Sequence, residues 1–147
     1  MSIFESTKNQ QDWALTVLRV AVGAIFVAHG AQKLFTYGIV GTTGAFGQMG
    51  IPFAGIAAPL IVLLEFFGGL ALIAGFLTRF ISLALVLDMV GAIAFVHFSA
   101  GFFMPKGYEF ALILLVASVG LTIAGSGAIS IDSLIANRRK LQPVRNR

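Results

Sequence analysis

Four apolar runs dominate this chain, at residues 13–35, 56–77, 80–100 and 108–126. Each approaches the ~20 residues that an α-helix needs to cross the hydrocarbon core of a bilayer. A soluble domain of 147 residues has no interior large enough to hide them. Hydrophobic residues make up 58% of the chain and charged residues 11%, against ~45–50% and ~25% in ordinary globular domains. Lipid must cover the excess and is the expected partner. Four spans are too few and too long for a closed barrel, which leaves helices as the one way to satisfy every backbone group in hydrocarbon. The expected fold is therefore all-α: an integral membrane four-helix bundle forming a single domain over residues 1–147.

The connections carry their own signals. Residues 37–55 form the one long loop, and a short outer helix is expected over 42–49. Thr42 would be its N-cap, Gly50 its stop and Pro52 the block to continuation. Pro59 is expected in the first turn of the second span, where a missing N–H costs little. Residues 131–140 read as a short interfacial helix capped by Ser130 or Asp132, with Leu134 and Ile135 dipping into the headgroups.

Positive charge sets the orientation. With four spans, Lys8, Arg19, Arg79, Arg138, Arg139, Lys140, Arg145 and Arg147 share one side, and only Lys33 and Lys106 fall on the other. Both termini are then expected in the cytoplasm of a bacterium, at its inner membrane. The net charge of +4 reflects that basic tail, which acidic lipid attracts. It does not point to nucleic acid. The N-terminal flank carries Glu5 and Asp12 against Lys8, and the first apolar run exceeds a signal-peptide core, so no cleavage is expected. With no cysteine, the chain can hold neither a Cys-ligated cluster nor a thiol relay.

Charge inside a membrane helix is costly and by default functional. Arg19, His29, Glu65 and Asp88 lie inside spans, and Lys33, His97 and Glu109 near span ends. Depth along the helices separates an outer group (His29, Lys33, Glu65, His97, Glu109) from an inner pair, Arg19 with Asp88. His29 and Lys33, four apart, share a helix face. Asp88 and His97, nine apart, are half a turn out of phase on a straight helix. Simple mutual pairing is one reading: Arg19 with Asp88, and Lys33 with Glu65 or Glu109. A haem or metal held by His29 and His97 is another. A third is a polar pocket for a quinone, with His29, Lys33, Glu65 and Glu109 around it, the glycine-rich 37–55 loop as its roof, and Phe26, Phe35, Phe66, Phe95 and Phe98 as candidate walls. Close helix contacts are expected at Gly23, Gly30, Gly68, Gly69, Gly91 and Gly120.

The ordered motifs carry a resemblance. Arg19-x9-His29-Gly30-x2-Lys33, then Gly50-Ile51-Pro52, then Glu65-x2-Gly68-Gly69 leading to Gly75-Phe76-Leu77-Thr78-Arg79, then Glu109, Gly125-x-Gly127 and Asp132 resemble the DoxX family. Ser126 stands where the family often has proline. The resemblance implies a small bacterial inner-membrane protein with four helices, linked to quinone or oxidative-stress chemistry. It marks Arg19, His29, Lys33, Glu65, Arg79 and Glu109 as positions to test. His29, Glu65 and Glu109 are then the expected catalytic groups, and Arg19, His29, Lys33 and Glu65 the expected quinone-binding groups, with no metal. A redox protein docked at the cytoplasmic face is the implied partner. Two other functions remain open: a non-enzymatic anchor for a redox complex, and a proton or small-molecule pathway through Glu65 and Asp88.

Overall fold

The computed structural model describes residues 7–141, with side chains through 138. The basic cluster expected beyond Arg138 therefore lies outside the described side chains. The described residues are helical and contain no strand. The first helix, α1 (Lys8–Ala31), starts on a capping box in which Thr7 and Gln10 exchange hydrogen bonds. It widens into a π turn, Gln32–Tyr37, and bends at Gly38 (φ 69°) into α2 (Gly38–Gln48). The second apolar run holds α3 (Ala54–Leu63), a π turn (Leu64–Gly68) and α4 (Gly69–Ala74). The third holds α5 (Thr78–Ala92), a π turn (Ile93–His97) and a short 3-10 turn. The fourth is α6 (Glu109–Ala124), and α7 (Ile131–Leu141) comes after it.

Among the described residues, three helical stretches are long and apolar enough to cross a membrane: Lys8–Gln48, Ala54–Ala74 and Thr78–Ala100. At 16 residues α6 is shorter, ~24 Å at 1.5 Å per residue. α1 packs on α4 and the Leu64–Gly68 turn, α5 packs on α6, and α1 also touches α6. These four supply a common core of Val22, Phe26, Leu72, Leu85, Met89, Ala111, Leu114 and Leu121. The opposite faces expose large apolar side chains such as Val17, Phe67, Leu87, Ile113 and Ile123. A polar solvent would penalise that surface; lipid does not.

Glycine sets the closest crossing. A Cβ on Gly23 would lie 2.8 Å from the Gly69 carbonyl oxygen, and one on Gly69 would lie 2.8 Å from that of Gly23. Only residues without a Cβ let α1 and α4 meet there. Gly91 and Gly120, by contrast, have nothing within 4 Å, so they mark no helix contact.

Two caps differ from the sequence reading. Thr42 is not an N-cap, because the helix has already begun at Gly38; its hydroxyl donates to the Lys33 carbonyl at 3.3 Å. Pro59 sits in the second turn of α3, since that helix starts at Ala54. Ser130 does cap α7, accepting from the Ser133 N–H at 3.0 Å. Asp132 caps a different helix. Its carboxylate accepts from the Leu77 and Thr78 N–H groups at 2.8 and 2.9 Å. Leu77 precedes α5 and has no capping side chain, so an acceptor had to come from elsewhere.

Candidate functional site

Each of the three π turns carries one polar side chain of the site: Lys33 in the first, Glu65 in the second, His97 in the third. A π turn admits one extra residue and so rotates the residues after it by ~100° relative to a regular helix. That rotation answers the phase objection to Asp88 and His97. On a straight α5 they diverge by half a turn; with the widened Ile93–His97 turn between them the divergence shrinks, and His97 lines the cavity with Glu65 and Lys33, beside which Asp88 lies.

Gly30 brings the first two turns together. A Cβ there would sit 2.4 Å from the Phe66 amide nitrogen and 2.9 Å from the Glu65 carbonyl carbon. At that separation Lys33 reaches across and forms an ion pair with Glu65. The Glu65 side chain is 4% exposed and that of Lys33 23%. Asp88 faces the same pair, close enough for Glu65 and Lys33 to act on it electrostatically, and its Oδ2 has no hydrogen-bond partner.

His29, Lys33, Glu65 and His97 line one cavity of about 390 Å³. Its apolar walls come from Phe26, Met89, Ala92, Phe110, Ala111 and Leu114. His29 and Phe110 are exposed at its mouth, with ring centroids 6.2 Å apart. The 101–108 connection closes another side through Met104, Pro105 and Gly107. That connection, rather than the glycine-rich 37–55 segment, covers the cavity. The 37–55 segment instead borders a neighbouring cleft of about 610 Å³, in which Lys33 is the shared wall.

His97 is oriented by its surroundings. Its Nδ1 lies 2.9 Å from the Lys106 carbonyl oxygen. A carbonyl only accepts, so Nδ1 carries the proton and, in the neutral ring, Nε2 is left with a lone pair. Among the described residues no group of three or more His, Asp or Glu is arranged to hold a metal ion.

Two expected site residues lie elsewhere. Glu109 is half-buried beside the cavity and not in its wall. Its Oε1 accepts from the Met104 N–H at 2.6 Å, which pins the connection that closes the cavity. Arg19 is at the opposite end of the core, 1% exposed. It does not pair with Asp88. Its guanidinium donates to the carbonyls of Leu72, of Ile73 at 2.8 Å and of Ile129 at 2.6 Å. The Leu72 and Ile73 carbonyls lie in the last turn of α4 and that of Ile129 just before α7, and the five donors of arginine can serve all three where one distant carboxylate would take only part of them. Arg79, marked by the resemblance, lines a cleft at that same end with Asp12 and Asp132. Of the candidate phenylalanines only Phe26 reaches the cavity; Phe35, Phe95 and Phe98 face outward. Sequence reasoning missed Phe110, Met104 and Pro105, which a chain-order reading assigns to a loop and a helix start.

The DoxX family profile matches residues 14–98, which include most of α1, all of α2 through α5 and the π turns carrying Lys33, Glu65 and His97. The chain belongs to the DoxX family. It is 33% identical to "Putative oxidoreductase CatD" of Bacillus subtilis, over 84% of this chain and 88% of that protein. It is 34% identical to "Inner membrane protein YqjF" of Escherichia coli, over 87% of this chain and 96% of that one. It is also 32% identical to an uncharacterized membrane protein of Mycobacterium tuberculosis, over 82% and 80% of the two chains. No solved structure matches. The chain is thus a membrane protein of the DoxX family whose long helices are in contact with lipid.

Proposed function

We propose that this DoxX protein binds a quinone in the His29–Lys33–Glu65–His97 cavity and serves as the membrane subunit of a redox complex. The observation that carries the reading is a cavity lined by His29, Lys33, Glu65 and His97 together with apolar side chains, two of its lining residues, His29 and Phe110, being exposed. Its volume of about 390 Å³ is at the small end of the ~300–1,000 Å³ usual for small-molecule sites. That suits a single ring better than a porphyrin between His29 and His97. Lys33 and His29 would supply donors for the quinone oxygens, the His97 Nε2 lone pair would accept from a quinol hydroxyl, and Phe26, Phe110 and Leu114 would cover the ring. The exposed mouth at His29 and Phe110 lets a prenyl tail remain in lipid. Glu65 would exchange protons with a quinone held in the cavity, with Lys33 balancing its charge. Reduction of a quinone consumes two electrons and two protons; the electrons would come from a reduced partner protein docked on the cytoplasmic face. The name of the Bacillus subtilis relative favours a redox role.

In this reading α6 is the fourth crossing, so that α1, α3 with α4, α5 and α6 form a four-helix bundle. Both termini are cytoplasmic, by the positive-inside argument, and the membrane is the inner one, as in the name of the Escherichia coli relative. Binding of decylubiquinone and of a menaquinone analogue to the purified full chain tests the site. His29→Ala should weaken binding ~10-fold, the equivalent of one hydrogen bond to a quinone oxygen. Unchanged affinity in the folded variant overturns the reading.

A further inference from the structure

Among the described residues, four side-chain oxygens inside the core have no hydrogen-bond partner: Thr78 Oγ1, Ser82 Oγ, Ser118 Oγ and Asp88 Oδ2. The three hydroxyl residues are 0% exposed and Asp88 is 8% exposed. They are not scattered. Thr78, Ser82, Leu85 and Asp88 succeed one another along the buried face of α5. Ser118 comes from α6, which runs antiparallel to α5: Gly125 lies beside Arg79 at one end, and Leu114 and Ala111 share the cavity wall with Met89 and Ala92 at the other. That register puts Ser118 at a depth between Ser82 and Asp88. The row spans ~15 Å from Thr78 to Asp88, half of a hydrocarbon core.

Hydroxyls in apolar helices commonly turn back to the carbonyl four residues earlier. Thr16 and Thr122 do so here, at 2.9 Å each. Thr78, Ser82 and Ser118 do not. Buried hydroxyls left without a partner are unfavourable, and a row of them is accounted for together when water lies among them. Both ends of the row reach polar space. Thr78 lines the cleft of about 430 Å³ that also holds Asp12, Arg79 and Asp132. Asp88 faces Glu65 and Lys33, which line the quinone-sized cavity.

We infer that Thr78, Ser82, Ser118 and Asp88 form a water-filled proton route from the α7 end of the protein to Glu65. A hydroxyl both donates and accepts, so it can pass a proton along a chain of waters without changing charge. The route deepens the quinone reading, for which it would supply protons from the side of the chain's C-terminus. Its wetting does not depend on that reading.

The absence of cysteine from the chain provides the test. Ser82→Cys and Ser118→Cys are introduced singly into the full chain, reconstituted in vesicles whose sidedness is read from a C-terminal tag. Silver ion is the probe, since it titrates thiols only where water reaches them. The comparison variant is Leu83→Cys, on the apolar surface. Ser82→Cys and Ser118→Cys should react at least 10-fold faster than Leu83→Cys, and from the C-terminal side. A second measurement monitors deuteration of the buried carboxyl groups by infrared spectroscopy after transfer to heavy water. Ser82→Val or Ser118→Val should slow that exchange at least 10-fold. Thiols that react no faster than Leu83→Cys, reaction from the opposite side alone, or unaltered deuteration overturns the route. Quinone affinity is measured separately, so loss of the quinone reading would leave these results standing.

Discussion

Gly30 lies so close to Phe66 that the missing Cβ would fall 2.4 Å from the Phe66 amide nitrogen, an atom that cannot move aside without displacing the turn that carries Glu65. Gly30→Ala should therefore destabilise the protein by at least the ~1–3 kcal/mol typical of overpacking and lower quinone affinity with it. Gly120→Ala, where nothing lies within 4 Å, should be neutral or stabilise by up to ~1 kcal/mol, since the position is inside α6. Thermal unfolding of both variants in detergent checks the contrast. Equal effects would count against the contact.

The Lys33–Glu65 pair should behave as a buried ion pair. Removing Lys33 leaves the Glu65 carboxylate nearly enclosed beside Asp88, a situation that costs ~3–5 kcal/mol in comparable pairs. Lys33→Ala should thus be severely destabilising. The double variant Lys33→Ala/Glu65→Ala should recover part of the loss, because no charge is then stranded. A double-mutant cycle by chemical denaturation measures the coupling, and additivity would show that the pair does not hold.

Arg19 and Asp88 should not be coupled. Arg19 holds the carbonyls at the end of α4, whereas Asp88 faces Glu65, seven residues before the first of those carbonyls and ~10 Å away along the helix axis. Arg19→Ala and Asp88→Ala should each destabilise, and their effects should add within ~0.5 kcal/mol. A larger interaction energy would mean that they share a partner after all.

Asp132 ties α7 to the start of α5 with two hydrogen bonds. Asp132→Ala should cost ~1–2 kcal/mol, the upper part of the N-cap range, and Asp132→Asn less, because one acceptor oxygen remains. Unfolding midpoints of the two variants decide the order; the reverse order would discard the cap.

The positive-inside rule predicts a topology with the C-terminus in the cytoplasm. A cytoplasm-dependent fluorescent fusion at the C-terminus should be bright, and an export-dependent reporter inserted between residues 48 and 54 should be active. The reverse pattern would invert the orientation proposed for the cavity and the proton route alike.

The sequence by itself determined that this is a helical membrane protein of a recognisable family, since the length and apolarity of a run decide whether it can lie in lipid, and these are local properties. It also offered Glu65 and Glu109 as the possible partners of Lys33, because opposite charges have few alternatives in hydrocarbon; the structure decided for Glu65. The tertiary structure decided the rest. Arg19 belongs to the end of α4 and not to Asp88, and Asp132 caps α5 and not its own helix; in both, the deciding groups are backbone carbonyls or N–H groups, which every sequence contains and none displays. His97 joins His29 because of a π turn whose extra residue shifts helical phase, and no residue pattern in 93–97 announces it. Glu109 reads as a site residue from its depth, yet the 101–108 connection takes its carboxylate. Depth and charge can be counted along a chain, whereas direction around a helix depends on backbone geometry that packing between helices selects.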